Sequence, residues 1–280
     1  TLSSEEHTGR DLVRYGVAGV EHGFRDLIAA NMRHFGALRL DHVMALFRQW
    51  WVPVGLGATD GGYVHYPLDD LMSVLALESE RHACLVVGED LGTVPPEMSH
   101  AMDERSVYSY RVLLFEKHAD GRFKGAGEYP RRAIATVTTH DLPTLKGYWT
   151  ANDIELRRRL SLYPSEEVRG LVADERVRDR GALLVALDAE GLRPAGCDAS
   201  ADSYDRALSF AIHEFLARSS AALVVVQAED LIGMADPVNV PGTSDEHANW
   251  QRKMSRDVAA IFGDTDVRLL LDSVQAARTR

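Results

Sequence analysis

The segment CLVVGE at residues 84–89 decides the fold, because it is a short apolar run that ends on a carboxylate. Residues 38–41 and 135–141 form two more strand-like runs that end on an acid. Runs of this kind predict strands that are covered on both faces, as in parallel sheets with helical crossovers. The carboxyl ends of parallel strands meet at one rim, where α/β barrels keep their catalytic groups. The sequence therefore predicts three acids at one rim.

Further elements can be placed around these runs. Strands are also predicted at 108–116 and 221–229, which makes five in all. Helices are predicted over 12–35, 68–81 and 95–105, and between 141 and 221, where the mixed charges of 174–180 predict a solvated face. The glycine-rich segment 53–67 predicts an irregular loop. A closed (β/α)₈ barrel needs eight strands, so the prediction is an α/β chain with about five of the eight β/α units.

Composition narrows the classes of function. The 280 residues are 45% hydrophobic, which is ample for a buried core, and no composition shift marks a second domain. A net charge of −11 repels phosphate backbones and predicts no nucleic-acid partner. Two cysteines, Cys84 and Cys197, argue against a secreted disulfide framework. With no membrane-length apolar stretch and no signal-peptide pattern, we expect a cytoplasmic protein without a membrane partner.

The three acids fit the cleavage of glycosidic bonds. Arg39 lies two residues before Asp41 on the same strand face, so its charge is expected to lower the pKa of Asp41, as suits a nucleophile. Glu89 has no neighbouring base and would face the charge of Asp41, which predicts a raised pKa and the role of proton donor. Asp141, preceded by His140, can hold sugar hydroxyls and stabilise the transition state.

Other interpretations remain open at this stage. Any single acid at a strand end can be a helix cap, although three together are harder to explain in that way. His42 and His140 could be metal ligands, but no HxH or HExxH spacing supports a metal site. The aromatic residues in or beside the glycine-rich segment can stack on sugars or pack in a core, and they are Trp50, Trp51, Tyr63 and Tyr66.

Long stretches of the sequence resemble one family. They are LRLDHVMALFRQWWVPVG at 38–55, YVHYPLDDLMSVLALESERHACLVVGEDLGTVP at 63–95 and VTTHDLPTLKGYW at 137–149, with shorter matches at 227–230, 237–243 and 249–250. They resemble the 4-α-glucanotransferases, the amylomaltases or disproportionating enzymes related to the α-amylase clan. The resemblance covers nearly the whole chain.

The resemblance implies roles for individual residues. It makes Asp41 the nucleophile, Glu89 the acid/base and Asp141 the acid that stabilises the transition state. It also implies sugar contacts by further residues that stand unchanged here, namely Arg39, His42, His140 and Asn239; to these we add Tyr66 as a candidate substrate-binding residue. It implies a (β/α)₈ TIM barrel of the α-amylase clan type that needs no metal and no organic cofactor.

The implied reaction is transfer of an α-1,4-glucan segment to the 4-hydroxyl of an acceptor glucan through a covalent glycosyl-aspartate. The partners would be maltodextrins or starch-type α-glucans, and the oligomeric state is open. The alternatives are an α-amylase-like hydrolase and an inactive glucan-binding fragment. We expect residues 1–280 to be the C-terminal portion of the catalytic barrel, with the N-terminal strands and subdomains absent, and we expect this portion to be inactive alone.

Overall fold

The chain forms two compact units. The first ends at Tyr110 and the second begins at Arg111. The computed structural model describes residues 17–279, with side chains from residue 23 onward. Residues 12–16, where the first predicted helix begins, lie outside the described part. The boundary between the two units falls within a strand, between Tyr110 and Arg111.

The first unit alternates strands and helices. Its elements are α1 (Val17–Met32), β1 (Ala37–Leu40), β2 (Arg48–Trp51), β3 (Gly62–His65), α2 (Leu68–His82), β4 (Leu85–Gly88), α3 (Pro96–Glu104) and the start of β5 (Tyr108–Val112). β1 pairs with β4 in parallel, and β4 pairs with β5 in parallel. The predicted parallel pairing is therefore confirmed for these strands.

Helix α2 follows from its sequence pattern. Leu71 and Leu75 lie on one face and are both buried. Leu75 packs in the methionine-rich core that also holds Met32 and Met72. Acidic residues occupy the first turn and basic residues the last turn, which complements the helix dipole. The chain leaves the helix through Ala83, whose φ of 48° is left-handed, and enters β4 after one more residue.

The prediction of an irregular loop over 53–67 is wrong for its second half. β2 and β3 form an antiparallel ribbon in which Trp50 lies opposite Tyr63. Their rings meet edge to face at 4.9 Å, and the Trp50 indole donates to Ala58 O at 3.0 Å. Cross-strand aromatic pairing thus outweighs the low strand propensity of the flanking glycines.

The second unit holds two more parallel strands and most of the helices. Its elements are β6 (Ala133–Thr136), α4 (Leu145–Trp149), α5 (Asn152–Arg159), α6 (Glu166–Ala189), α7 (Arg206–Ala217), β7 (Leu223–Val225), α8 (Ala228–Leu231), α9 (Val258–Gly263) and α10 (Thr265–Arg278). β6 pairs with β7 in parallel. Both are shorter than predicted, and β7 is only partly covered, since Leu223 and Val225 are more than 40% exposed.

The predicted solvated face over 174–180 is wrong for two of its arginines. Arg176 and Arg180 are buried on α6. Arg176 donates to both carboxylate oxygens of Asp153 at 2.8 Å and lies 3.7 Å over the ring of Tyr148. A two-bond ion pair and an aromatic face replace the water that the guanidinium loses. A run of mixed charges does not reveal such a pair.

A buried histidine in the second unit predicts that the stability of the protein depends on pH. His213 on α7 is 1% exposed, and burial lowers its pKa. As the pH falls, the His213 side chain is therefore protonated in the unfolded chain before it is protonated in the folded one. The contribution of neutral His213 to the free energy of unfolding is complete above the ordinary histidine pKa of about 6.5 and is lost as the pH falls below it.

We expect His213→Leu to reduce the loss of stability on acidification. Between pH 7.5 and 5.5 the wild-type free energy of unfolding should fall by more than that of the variant, because only the wild-type chain takes up this proton on unfolding. Urea denaturation at both pH values measures this difference. His34→Gln, at an exposed position, serves as the control. Equal losses in wild type and His213→Leu would contradict the prediction.

Candidate active site

Asp41 follows the last residue of β1 and forms an ion pair with Arg39. Arg39 Nη1 lies 2.9 Å from Asp41 Oδ1, as expected for two side chains on the same face of a strand. The Asp41 side chain is 78% exposed. The Arg39 guanidinium in turn lies 5.4 Å over the ring of Tyr110. The Asp41 carboxylate is thus oriented by the Arg39 guanidinium, which is itself packed on the Tyr110 ring.

Glu89 lies beside Asp41 because of strand register. Leu40 of β1 is paired with Gly88 of β4, and the ladder continues as Glu89 N donates to Leu40 O at 2.9 Å. Both Glu89 carboxylate oxygens accept backbone hydrogen bonds, Oε2 from His42 N at 2.8 Å and Oε1 from Leu91 N at 2.9 Å. Two backbone amides therefore hold this half-buried side chain in one orientation.

The backbone conformation of the loop after Asp41 allows His42 N to bond Glu89. His42 has a left-handed φ of 44°, which costs on the order of 1 kcal/mol in a residue other than glycine. The conformation directs its amide to Glu89, while Val43 N donates to Glu89 O at 3.0 Å. Gly88 lies beneath this turn, where an added Cβ would lie 2.9 Å from the Met102 methyl group and 3.1 Å from Val43, so both side chains would have to shift.

Asp141 lies in the second unit, five residues after the end of β6. Each of its carboxylate oxygens has a partner that the sequence predicted as a site residue. Asn239 Nδ2 donates to Oδ1 at 2.6 Å, and His140 Nε2 lies 3.1 Å from Oδ2. Asn239 comes from a loop 98 positions further along the chain. The fold therefore brings together His140, Asp141 and Asn239.

Tyr66 lies in the first unit just after β3. Its hydroxyl donates to Gln49 Oε1 at 3.0 Å, and its amide donates to Phe47 O. The exposed aromatic faces of this region belong to Trp50 and Tyr63, which are about half exposed, and Arg48 lies 4.1 Å over the Tyr63 ring. Trp50 and Tyr63 therefore present the more exposed rings, and substrate binding by Tyr66 stays a prediction.

Two residues that the sequence argument did not select belong to these sites. Tyr110 supports Arg39; burial raises the pKa of its hydroxyl, while Arg39 lowers it and Glu89 raises it. Trp250 packs against His140 with ring centroids 5.2 Å apart and helps to line a cavity of about 180 Å³ with Thr139 and Gln227. The match of residues 249–250 to the family could have pointed to Trp250 as a site residue. No local sequence pattern distinguishes Tyr110 from an ordinary strand residue.

Other kinds of site find no support in the described residues. Among residues 23–279, no group of three or more His, Cys, Asp or Glu side chains is placed to hold a metal ion. Cys84 and Cys197 are both free, and burial raises the pKa of the Cys84 thiol. Within the part of the chain that the structure describes, no helix has the length and apolar character needed to cross a membrane.

Comparisons with known proteins agree with this geometry. The sequence profile of the 4-alpha-glucanotransferase family matches residues 22–259. The 4-alpha-glucanotransferase of Haemophilus influenzae is 41% identical over 257 residues, and that of Mycobacterium bovis is 36% identical over 266 residues. Each match covers 91% of this chain but only 36% of the relative. The chain therefore spans about a third of the length of these relatives.

Solved structures give the same result for the fold. The amylomaltase of Corynebacterium glutamicum is similar with a TM-score of 0.83 at 28% identity, over 95% of this chain and 38% of that one. The amylomaltase of Streptococcus agalactiae, solved with acarbose, has a TM-score of 0.63 at 16% identity, over 89% of this chain and 43% of that one, and supports the fold alone. The fold class is that of part of an α/β TIM barrel, and the chain belongs to the 4-alpha-glucanotransferase family.

Proposed function

We propose that this chain carries the catalytic carboxylates of a retaining 4-α-glucanotransferase. The observation that carries the proposal is the position of Asp41 and Glu89 just beyond the paired residues Leu40 and Gly88. Neighbouring strands lie about 4.8 Å apart, which suits the roughly 5 Å between the carboxyl groups of a retaining pair. An inverting pair needs a wider gap for a water molecule.

In the first step, Asp41 attacks the anomeric carbon of an α-1,4-linked glucan. Glu89, protonated at this stage, donates its proton to the glycosidic oxygen, and the reducing-end segment leaves as an alcohol. The Arg39 ion pair keeps one oxygen of Asp41 occupied, so the other is available for attack. The product is a glycosyl-aspartate and an ionised Glu89.

In the second step, Glu89 removes the proton from the 4-hydroxyl of an acceptor glucan as that oxygen displaces Asp41. The two displacements restore the α-configuration and both carboxyl groups. Water in place of the acceptor would give hydrolysis. The family membership favours transfer over the α-amylase-like alternative.

For Asp141 we propose contacts to sugar hydroxyls that strengthen as the ring distorts. His140 and Asn239 hold its two oxygens, so it is already oriented before substrate binds. Maltodextrins and starch-type α-glucans are the proposed substrates. A cytoplasmic location stays part of the proposal, as does the assignment of residues 1–280 to the C-terminal portion of a catalytic barrel.

The test uses two forms of the protein. One is the 280-residue chain alone. The other, called the chimera, has this chain's matching segment in place of the 257 matched residues of the Haemophilus influenzae relative. With maltotriose, we expect glucose and longer maltodextrins from the chimera and no transfer from the chain alone, because the relative supplies the remaining walls of the site. An inactive chimera would contradict the proposed function, and transfer by the chain alone would contradict the expectation that it is inactive.

Asp41→Asn in the chimera should lower kcat for transfer by on the order of 10³-fold or more, because no glycosyl-enzyme can form. Product analysis after incubation with maltotriose measures the loss. Asp26→Asn is the matched control, since Asp26 also forms an exposed 2.9 Å ion pair with an arginine. A loss smaller than tenfold, or equal losses in the two variants, would remove Asp41 from the role of nucleophile.

Glu89→Gln should depend on the leaving group of the donor. We expect loss of activity with maltotriose and partial recovery of glycosyl-enzyme formation with an α-maltosyl fluoride, whose leaving group needs no proton. Burst kinetics with the fluoride measure this step. Asp41→Asn serves as the control that no donor should rescue. Equal loss of Glu89→Gln activity with both donors would argue against Glu89 as the acid.

A further inference from the structure

Both partners of Asp141 depend on one loop of the second unit. Residues 238–250, here called the clasp loop, contribute Asn239 near the beginning and Trp250 at the end. Asn239 donates to Asp141 Oδ1 at 2.6 Å, while the Trp250 ring lies 5.2 Å from that of His140, which contacts Oδ2. The conformation of this loop therefore decides whether both carboxylate oxygens are held.

The side chain of Asn249 connects the two ends of the clasp loop, beside the backbone bond from Trp250 N to Val238 O. Its Oδ1 accepts from Val240 N at 2.9 Å, next to Asn239. Its Nδ2 donates to Thr243 Oγ1 at 2.7 Å and to Thr243 O at 3.2 Å. Thr243 Oγ1 in turn donates to Val240 O at 2.7 Å. The Asn249 side-chain amide thus links the end of the loop to Val240 and Thr243.

The closed loop holds the next residue in a strained backbone conformation. Trp250 has a left-handed φ of 61°, which costs on the order of 1–2 kcal/mol for a residue with a side chain. Its amide donates to Val238 O at 3.1 Å. Its indole is 62% exposed, so burial does little to offset the strain. Besides this amide bond and the ring contact with His140, the hydrogen bonds of the neighbouring Asn249 hold this part of the backbone in place.

We propose that Asn249 is a positioning residue for Asp141. It acts through Asn239 and Trp250 and has no role of its own at the reacting atoms. The inference rests on the proposed function, in which Asp141 contacts sugar hydroxyls and stabilises the transition state. A displacement of about 1 Å in a catalytic group can lower a rate by about 100-fold, which sets the scale of the effect.

The chemistry of the amide explains why asparagine is suited to this position. The side chain must accept from one backbone amide and donate to a hydroxyl and a carbonyl at the same time. Aspartate would keep the acceptor for Val240 N but lose the donors to Thr243. Asn249→Asp is therefore a graded variant, and Asn249→Ala removes the whole connection.

The first test needs no activity. In the 280-residue chain, the ¹⁵N side-chain amide resonance of Asn239 reports its bond to Asp141, and Asn239→Ala assigns it. We expect Asn249→Ala to move this resonance toward the position of a free amide and Asn249→Asp to move it less. If Asn249→Ala does not fold, Thr243→Val removes only the hydroxyl partner and should give a smaller shift of the same sign. An unchanged resonance would overturn the proposal.

The second test is kinetic and uses the chimera. Asn249→Ala should lower kcat for maltotriose transfer by about 10- to 100-fold with KM changed less than about threefold, because the substrate binds but Asp141 is misoriented. Asn249→Asp should recover part of kcat. Asn152→Ala is the matched control, since that amide contacts Ala235 O and Asp236, outside the clasp loop.

The outcomes separate the two proposals. A lower melting temperature with unchanged kcat, or equal kcat losses in Asn249→Ala and Asn152→Ala, would mean that Asn249 only stabilises the fold. An inactive wild-type chimera would contradict the proposed function, and the Asn239 resonance would still decide the positioning role. A shifted resonance together with a loss confined to kcat supports both.

Discussion

The parallel pairing of β1 with β4 is the constraint on which the first unit depends. It sets Leu40 opposite Gly88, and the next residue of each strand is then an acid. A shift of one residue in this register would turn one of the two carboxylates to the other face of the sheet, because side chains alternate along a strand. Gly88 fits this register closely, since a side chain there would require Met102 and Val43 to shift.

The acids are oriented in different ways, and the difference follows from their surroundings. Glu89 is held by two backbone amides, one of which depends on the left-handed conformation of His42. Asp141 is held by two side chains, one of them from a distant loop. Backbone amides are fixed by the course of the chain, whereas a side-chain partner is only as well placed as the loop that carries it. The orientation of Asp141 therefore depends on a further residue, Asn249 in our proposal, that holds the loop carrying its partner, whereas the orientation of Glu89 does not.

The same distinction explains where sequence reasoning succeeded. The positions of Asp41 and Glu89 directly after their strands could be predicted from strand periodicity. Arg39 and His140 could be predicted as neighbours of acids from their short spacing, although β6 ends five residues before Asp141. Asn239 could be predicted only from the resemblance to a family, since 98 positions separate it from Asp141. Tyr110 and Trp250 were missed, because an aromatic residue near a strand or in a loop has no local pattern that separates support of a site from ordinary packing. Arg176 shows the opposite error, as a charged run predicted exposure and the partner Asp153 lies 23 positions away.

The sequence by itself determined the class of the fold, the order of most strands and helices and the family, and it predicted the three carboxylates. These follow from periodicity, from residue types at strand ends and from long motifs, all of which are local properties of the chain. Only the tertiary structure decided the β2–β3 ribbon, the burial of Arg176 and Arg180, the amides that hold Glu89 and the loop that holds Asp141. Each of these depends on contacts between residues far apart in sequence, or on a backbone conformation that such contacts stabilise, and no local pattern encodes them.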